Sequence, residues 1–206
     1  EICACLVGSE MCIRDRPGST FKILAAYSAA LDAGGLTLAS VQDDAPYTYA
    51  GANGKSVNNY DRRYRGFTTL REAITDSINI VTVKTLAQAG VSLGWQYVQE
   101  YGFTTVDSRD MNEALALGGI TQGVSNLELT AAYAAIANQG TYIKPKFYTK
   151  ILDHDGNVLI DNTTPESHTV IKDTTAWLLT SAMEDVMTSG TCLLYTSPSP
   201  RDMRRS

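Results

Sequence analysis

The chain has 206 residues, 44% of them hydrophobic, with 17 Lys+Arg against 22 Asp+Glu and a formal net charge of −5. That length suits one domain, or most of one, with enough apolar residues for a real core. The acidic balance argues against nucleic acid as a partner. No apolar run approaches the length of a membrane span, and no signal-peptide pattern is visible.

The two ends read as translated adaptor rather than protein. Residues 6–16 and 192–202 can be back-translated to one nucleotide string read on opposite strands, which genuine termini have no reason to share. The string resembles a transposase-type library adaptor. Residues 1–16 and 192–206 are therefore expected to be non-native and residues 17–191 a partial domain, the whole being a metagenomic fragment. All four cysteines (Cys3, Cys5, Cys12, Cys192) fall in those ends, so cysteine pairing or metal-site arithmetic has nothing native to act on. Five arginines and four acidic residues fall there too, leaving 12 basic and 18 acidic residues and a net charge of −6.

The first element is Pro17-Gly18-Ser19-Thr20-Phe21-Lys22. Pro17 suits a first helical turn, and the helix it opens runs through Ile23, Leu24, Tyr27 and Leu31 to Gly34-Gly35. Ser19 and Lys22 lie three residues apart and share a face. A serine hydroxyl is a weak nucleophile until its proton is taken, which a desolvated neutral amine can do. Alone, so short and common a pattern favours Ser19 as a helix cap and Lys22 as a solvated surface charge.

A second constellation follows. Thr69-Leu70-Arg71-Glu72 is a capping box opening a short helix that turns Leu70, Ala73 and Ile74 inward. That helix ends near Ser77, and another runs from about Asn79 through Ile80, Val83 and Leu86 to Gly90. Ser77 and Asn79 thus fall at a helix–helix junction, where a hydroxyl and an amide can face a cleft. Leu93, Trp95, Tyr97 and Val98 mark a short helix stopping at Gly102. Ser125-x-x-Glu128 caps an alanine-rich helix ending at Gly140, whose Ala131, Ala132, Ala134, Ala135 and Ala137 suit burial at the domain centre.

The period then changes. Residues 147–152 and 158–160 flank Asp153-His154-Asp155-Gly156-Asn157, a hairpin signature in which turn chemistry explains the acidic residues without a metal. His168 reads as surface or strand filler without a charged neighbour. A last helix, capped by Asp173, carries Trp177, Leu178, Met183, Val186 and Met187 and breaks at Ser189-Gly190-Thr191. Residues 61–65 (Asp-Arg-Arg-Tyr-Arg) read as a solvated loop, with contact to a peptide or glycan as the sharper alternative.

Ser19-x-x-Lys22 followed by Ser77-x-Asn79 resembles the transpeptidase domain of class A penicillin-binding proteins, the bifunctional peptidoglycan synthases. Further segments extend the resemblance: residues 59–61, 64–66, 69–72, 116–124, 128–134 and 138–142. It covers roughly Pro17 to Thr191, with Ile23 standing where a proline is common. It implies an α+β fold of the penicillin-binding-protein and serine β-lactamase type, incomplete here: a helical subdomain plus part of an antiparallel sheet.

The resemblance also implies acyl transfer on peptidoglycan stem peptides ending in D-Ala-D-Ala. Ser19 is the implied nucleophile, Lys22 the general base, Ser77 the proton relay and Asn79 the binder of the substrate amide. β-Lactam antibiotics would acylate Ser19 as substrate mimics. No cofactor or metal is implied. The full-length protein is expected at the extracytoplasmic face of the bacterial plasma membrane, with its anchor and a glycosyltransferase domain upstream. The family's lysine–threonine–glycine motif has no counterpart: Lys84-Thr85-Leu86 lacks the glycine and falls inside a helix. The fragment is therefore expected to be inactive and poorly folded as written. The alternatives of the same fold are a serine β-lactamase, for which Glu113 is a poor deacylating base, and a non-catalytic β-lactam sensor.

Overall fold

The computed structural model describes residues 13–50 and 55–191. The adaptor reading of residues 1–12 and 192–206, with all four cysteines, lies outside the described residues. Within them, Arg14–Asp15 pairs antiparallel with Val124–Ser125.

Six helices carry the fold: α1 (residues 21–32), α2 (Leu70–Thr75), α3 (Asn79–Ala89), α4 (Val91–Glu100), α5 (Asn126–Ala137) and α6 (Asp173–Thr188). Helix α1 is apolar nearly all round, and Phe21, Leu24, Ala25, Ala26, Tyr27, Ala29 and Ala30 are all 0% exposed. Such a helix can satisfy its surface only at the centre of a core. It is walled by Ile80, Val83 and Leu86 of α3 and by Val98 of α4. Gly94 permits the close crossing of α4 over α1, since a Cβ there would lie 2.5 Å from Ala25 O and 2.3 Å from Leu86 Cδ1.

The single regular helix expected after Pro17 is a composite. A 3-10 turn (Gly18–Thr20) leads into a π-helical stretch (Ile23–Tyr27) and then an α-helical one (Ser28–Asp32). Ile23 O accepts both the Ser28 N–H and the Ser28 hydroxyl, the latter at 2.9 Å. This buried side chain reinforces the wide turn, a form found mostly as short insertions near functional sites.

Both capping boxes form as expected. Thr69 accepts from Glu72 N and Ser125 from Glu128 N, with each glutamate returning to its cap's N–H. Helix α3 ends at Ala89 before Gly90, and Lys84-Thr85-Leu86 lies within it. The sheet component consists of separate antiparallel two-stranded ladders among the described residues. Besides Arg14–Asp15 with Val124–Ser125, Val41–Asp44 pairs with Gly66–Thr69, Tyr47–Thr48 with Ser56–Val57, and Thr141–Ile143 with Ser167–Thr169. The predicted hairpin is Lys150–Leu152 with Val158–Asp161, its turn closed by Asp153 Oδ1 accepting from Asp155 N and Asn157 N.

Two local expectations are corrected. Helix α5 is not buried throughout: Ala131, Ala132 and Ala135 face the core, whereas Ala134 and Ala137 are exposed, because the helix lies at the edge of the packed layer. Asp173 is the first residue inside α6 rather than its cap. Lys172 holds the cap position without a side-chain bond and is tied to Asp32 through its own N–H and Nζ, both at 2.8 Å. His168 lies exposed on a strand, as expected, and its partner is remote in sequence: its Nε2 lies 3.4 Å from Glu100 Oε2 and 2.8 Å from Glu100 O.

Candidate active site

Ser19 sits exposed on the 3-10 turn at the start of α1. Three contacts fix that turn. The Thr20 hydroxyl donates to Pro17 O at 2.7 Å, and the Tyr133 hydroxyl of α5 donates to Thr20 O at 2.6 Å. Gly118, with φ +70, packs beneath; a Cβ on it would lie 2.6 Å from Gly18 O and 2.7 Å from Gly18 N.

One turn on, the Lys22 side chain runs inward, with the residue only 3% exposed. Its Nζ lies 2.6 Å from Ser77 O, 2.9 Å from Ser77 Oγ and 2.6 Å from Asn79 Oδ1. No carboxylate is among its hydrogen-bond partners in the structure. Burial without a countercharge pulls its pKa from the ordinary 10.5 down to about 8. Nζ donates to all three acceptors, and on losing a proton it keeps two donors and gains a lone pair.

Ser77 reaches the amine because the chain reverses between α2 and α3. Ser77 takes φ +53, in the left-handed region, with Ser77 N donating to Ile74 O at 3.1 Å and Ile78 N to Ala73 O at 2.9 Å. Asn79 is the first residue of α3, and its Nδ2 donates to Asn58 O at 2.7 Å. That bond fixes which end of the amide faces Lys22. In this conformation both ends of the Asn79 amide are engaged within the protein.

The structure thus joins Lys22, Ser77 and Asn79, brought from two segments some 55 residues apart, in one hydrogen-bonded cluster. Ser19 stands at its rim without a bond to the cluster, lining the grooves on either side. One, of about 430 Å³, is largely apolar, with Tyr133, Met183, Val186 and Met187 on its walls. The other, of about 470 Å³, carries more charged side chains, with Tyr60, Asp61, Arg65 and Asp76 on its walls. A groove of about 570 Å³ between α5 and α6 lies away from Ser19.

The arginine-rich loop, residues 61–65, is exposed throughout, as expected of a solvated loop, and Arg65 ties it to its surroundings. Arg65 pairs with Asp61 at 3.0 Å, Asp76 at 3.7 Å and the buried Asp44 at 3.9 Å. Glu113 is buried, accepting from the Tyr47 hydroxyl and Ala50 N at 3.0 Å each, and lines neither groove. Tyr133, Gly118 and Asn58 are supports that the linear sequence did not single out. Each acts across a distance in the chain, so no local spacing could have revealed it.

A protein-family model described as the penicillin binding protein transpeptidase domain matches residues 11–199. The chain belongs to that family. Among relatives of this transpeptidase domain, penicillin-binding protein 1F of Bacillus subtilis is 38% identical over 176 residues, covering 85% of this chain and 24% of that protein. Penicillin-binding protein 1A of Clostridium botulinum is 34% identical over 152 residues, covering 70% of this chain and 18% of that protein. The chain therefore spans a quarter or less of the length of these curated relatives.

The crystal structure of penicillin-binding protein 1A from Haemophilus influenzae matches the transpeptidase domain with a TM-score of 0.71 at 26% identity, covering 91% of this chain and 31% of that one. Penicillin-binding protein A from M. tuberculosis, solved as an imipenem acyl-enzyme complex, shares the fold with a TM-score of 0.74 at 20% identity, over 87% of this chain and 45% of that one. The α+β fold expected for a partial transpeptidase domain is the one observed.

Proposed function

We propose that this segment is the nucleophile-bearing part of a D,D-transpeptidase that cross-links peptidoglycan stem peptides through a serine acyl-enzyme. The observation that carries the reading is the buried Lys22 amine. It is held without a carboxylate, one helical turn from an exposed serine on a braced turn.

In this reading Ser19 Oγ attacks the carbonyl of the penultimate D-alanine, and its proton passes to neutral Lys22. Ser77, hydrogen-bonded to Lys22, relays a proton to the leaving nitrogen as the peptide bond breaks and D-alanine departs. An amine from a neighbouring stem peptide then attacks the Ser19 ester, forming the new amide and returning the serine hydroxyl. Asn79 orients Lys22 before substrate arrives and is available to the substrate amide afterwards. β-Lactams acylate the same oxygen. Membership of a cell-wall synthesis family supports an extracytoplasmic, membrane-anchored parent protein.

The 206 residues contain no Lys-Thr-Gly sequence. That strand would supply one of the two oxyanion donors, whose loss costs about 10²–10³ in rate for a single donor. The chain alone is therefore proposed to be inactive. The position of Glu113, tied to Tyr47 and Ala50, gives no support to a deacylating β-lactamase.

The test is a chimera in which the transpeptidase sequence of penicillin-binding protein 1F continues after Thr191. Fluorescent penicillin is expected to label Ser19 of the chimera, mapped by mass spectrometry, and to label neither Ser19→Ala nor the 206-residue chain. An unlabelled but folded chimera, or equal labelling of Ser19→Ala, overturns the reading. Stoichiometric labelling of the 206-residue chain overturns its proposed inactivity.

A further inference from the structure

We infer that Asp44 and Asn59 form a buried positioning pair that caps α3 from outside the helix and so holds the Asn79 amide against Lys22 Nζ. The inference rests on Lys22 being the base of the proposed reaction, but it concerns two residues to which neither sequence motifs nor that reaction assigns a role.

A helix begins with unpartnered N–H groups. The cap position of α3 is held by Ile78, whose side chain cannot accept a hydrogen bond. The acceptor comes instead from 20 residues upstream: Asn59 Oδ1 accepts from Asn79 N at 3.1 Å and from Ile80 N at 3.2 Å. An asparagine amide has two ends, and here the second end determines the first. Asn59 Nδ2 donates to Asp44 Oδ1 at 2.8 Å, to Asp44 Oδ2 at 3.0 Å and to Arg63 O at 2.8 Å. A carboxylate can only accept, so the Asn59 amide cannot flip without placing oxygen against oxygen.

Asp44 is 0% exposed and Asn59 5% exposed, which makes a mismatch costly. Asp44 in turn is held by Arg65 N–H at 2.9 Å and the Arg65 guanidinium at 3.9 Å. The neighbouring Asn58 completes the grip through its carbonyl on Asn79 Nδ2. Residues 58 and 59 therefore hold Asn79 by backbone and side chain together, and the remaining amide oxygen of Asn79 meets Lys22.

The groups around Lys22 leave little else to orient it. Tyr27 lies on its own helix, Tyr133 comes from α5, and Ser77 and Asn79 come from the α2–α3 junction; Tyr60, Asp61, Arg65 and Asp76 line the groove on the other side of Ser19, which Lys22 does not line. Helix α6 contributes Met183, Val186 and Met187, none of which titrates. Releasing Asn79 removes one acceptor, which by itself would lower the pKa, but it also opens the first turn of α3 to water; burial is what depresses the pKa, so the gain of water outweighs the lost acceptor and the amine holds its proton more tightly.

The test reads the lysine directly. Lysine-selective ¹³C labelling of the chimera that continues after Thr191, with the Lys22 Cε resonance assigned by Lys22→Arg, gives its titration by NMR without any β-lactam, so failure of Ser19 to acylate leaves this measurement intact. The unmodified chimera is expected to titrate at about 8. Asp44→Ala and Asn59→Ala are each expected to raise that midpoint by about one pH unit or more. The exchange Asp44→Asn with Asn59→Asp restores a donor–acceptor pair and a cap but sets a carboxylate oxygen against Arg63 O, and is expected to bring the midpoint part of the way back. Lys22 titrating alike in the unmodified chimera and both single variants overturns the inference. So does a folded exchange variant that titrates with the single variants. A purely structural pair would lower the melting temperature and leave the Lys22 midpoint unmoved. Where a single variant fails to fold, the exchange variant decides.

Discussion

Lys22 Nζ and Asn79 Oδ1 lie 2.6 Å apart although 57 residues separate them in the chain. The contact requires α1 to bury its lysine and α3 to start at the right point, with its first side chain turned back toward α1. Neither condition is local, and both bear on how the amine is held near neutrality. The first prediction follows from that amine.

Acylation by a β-lactam, measured in the chimera, is expected to rise with pH and level off above an apparent pKa of about 8, since only the neutral amine can take the serine proton. A rate independent of pH between 6 and 10 on the experimental scale, roughly the span over which a shifted lysine titrates, would remove Lys22 as the base.

The same shift has a stability consequence. The folded lysine loses its proton at about 8 and the unfolded one at 10.5. Between those values the unfolded state binds more protons, so stability contributed at this site increases as pH rises through the window. At about 1.4 kcal/mol per unit the gain is on the order of 3 kcal/mol. Urea unfolding of Lys22→Met and the unmodified chain from pH 7 to 10.5 should show the difference between them change by that order, in the unmodified chain's favour.

Gly118→Ala is expected to cost about 2–4 kcal/mol, combining a left-handed backbone with a clash. Its Cβ would meet Gly18 N and O at 2.7 and 2.6 Å, so the Ser19 turn must move. In the chimera, penicillin labelling should slow by more than the stability loss explains. Thermal melting and labelling rates on the same samples separate the two effects.

Tyr133→Phe removes one hydrogen bond, to Thr20 O at 2.6 Å. The expected cost is about 1 kcal/mol, with slower acylation because the Ser19 turn loses its brace from α5. Acylation at the unmodified rate would show that the turn is held by Gly118 and Pro17 alone.

Glu128→Ala should cost about 1–2 kcal/mol, because Glu128 Oε2 serves the Ser125 cap while Oε1 accepts from Thr104 N at 3.0 Å and its hydroxyl at 2.6 Å. These bonds hold the Glu128 carboxyl below the ordinary 4.5, against the opposing effect of its partial burial. Its contribution is present above that value and is lost as pH falls through the lower folded one. Acid unfolding of the variant should be correspondingly less steep.

The sequence by itself determined the local elements whose causes are local. Thr69 with Glu72 and Ser125 with Glu128 start helices because a cap and its glutamate are three residues apart. The asparagine, aspartate and glycine of residues 153–157 make a turn whatever surrounds it. The order of Ser19, Lys22, Ser77 and Asn79, with the further matching segments, was enough to indicate the family.

The tertiary structure decided what depends on groups distant in the chain. It dried Lys22, whose depressed pKa has no sequence signature because desolvation depends on everything packed around the amine. It also placed Ile78 at the cap of α3 and Asn59 as the acceptor there, where the sequence showed only a helix starting at about Asn79. Nothing in the spacing foretold the π-helical turn after Lys22, which Ser28 stabilises from within the core, or the Glu100 partner of His168. Patterns of three or four residues report contacts one helical turn long. The state of a buried amine is set by partners that come together only when the chain folds.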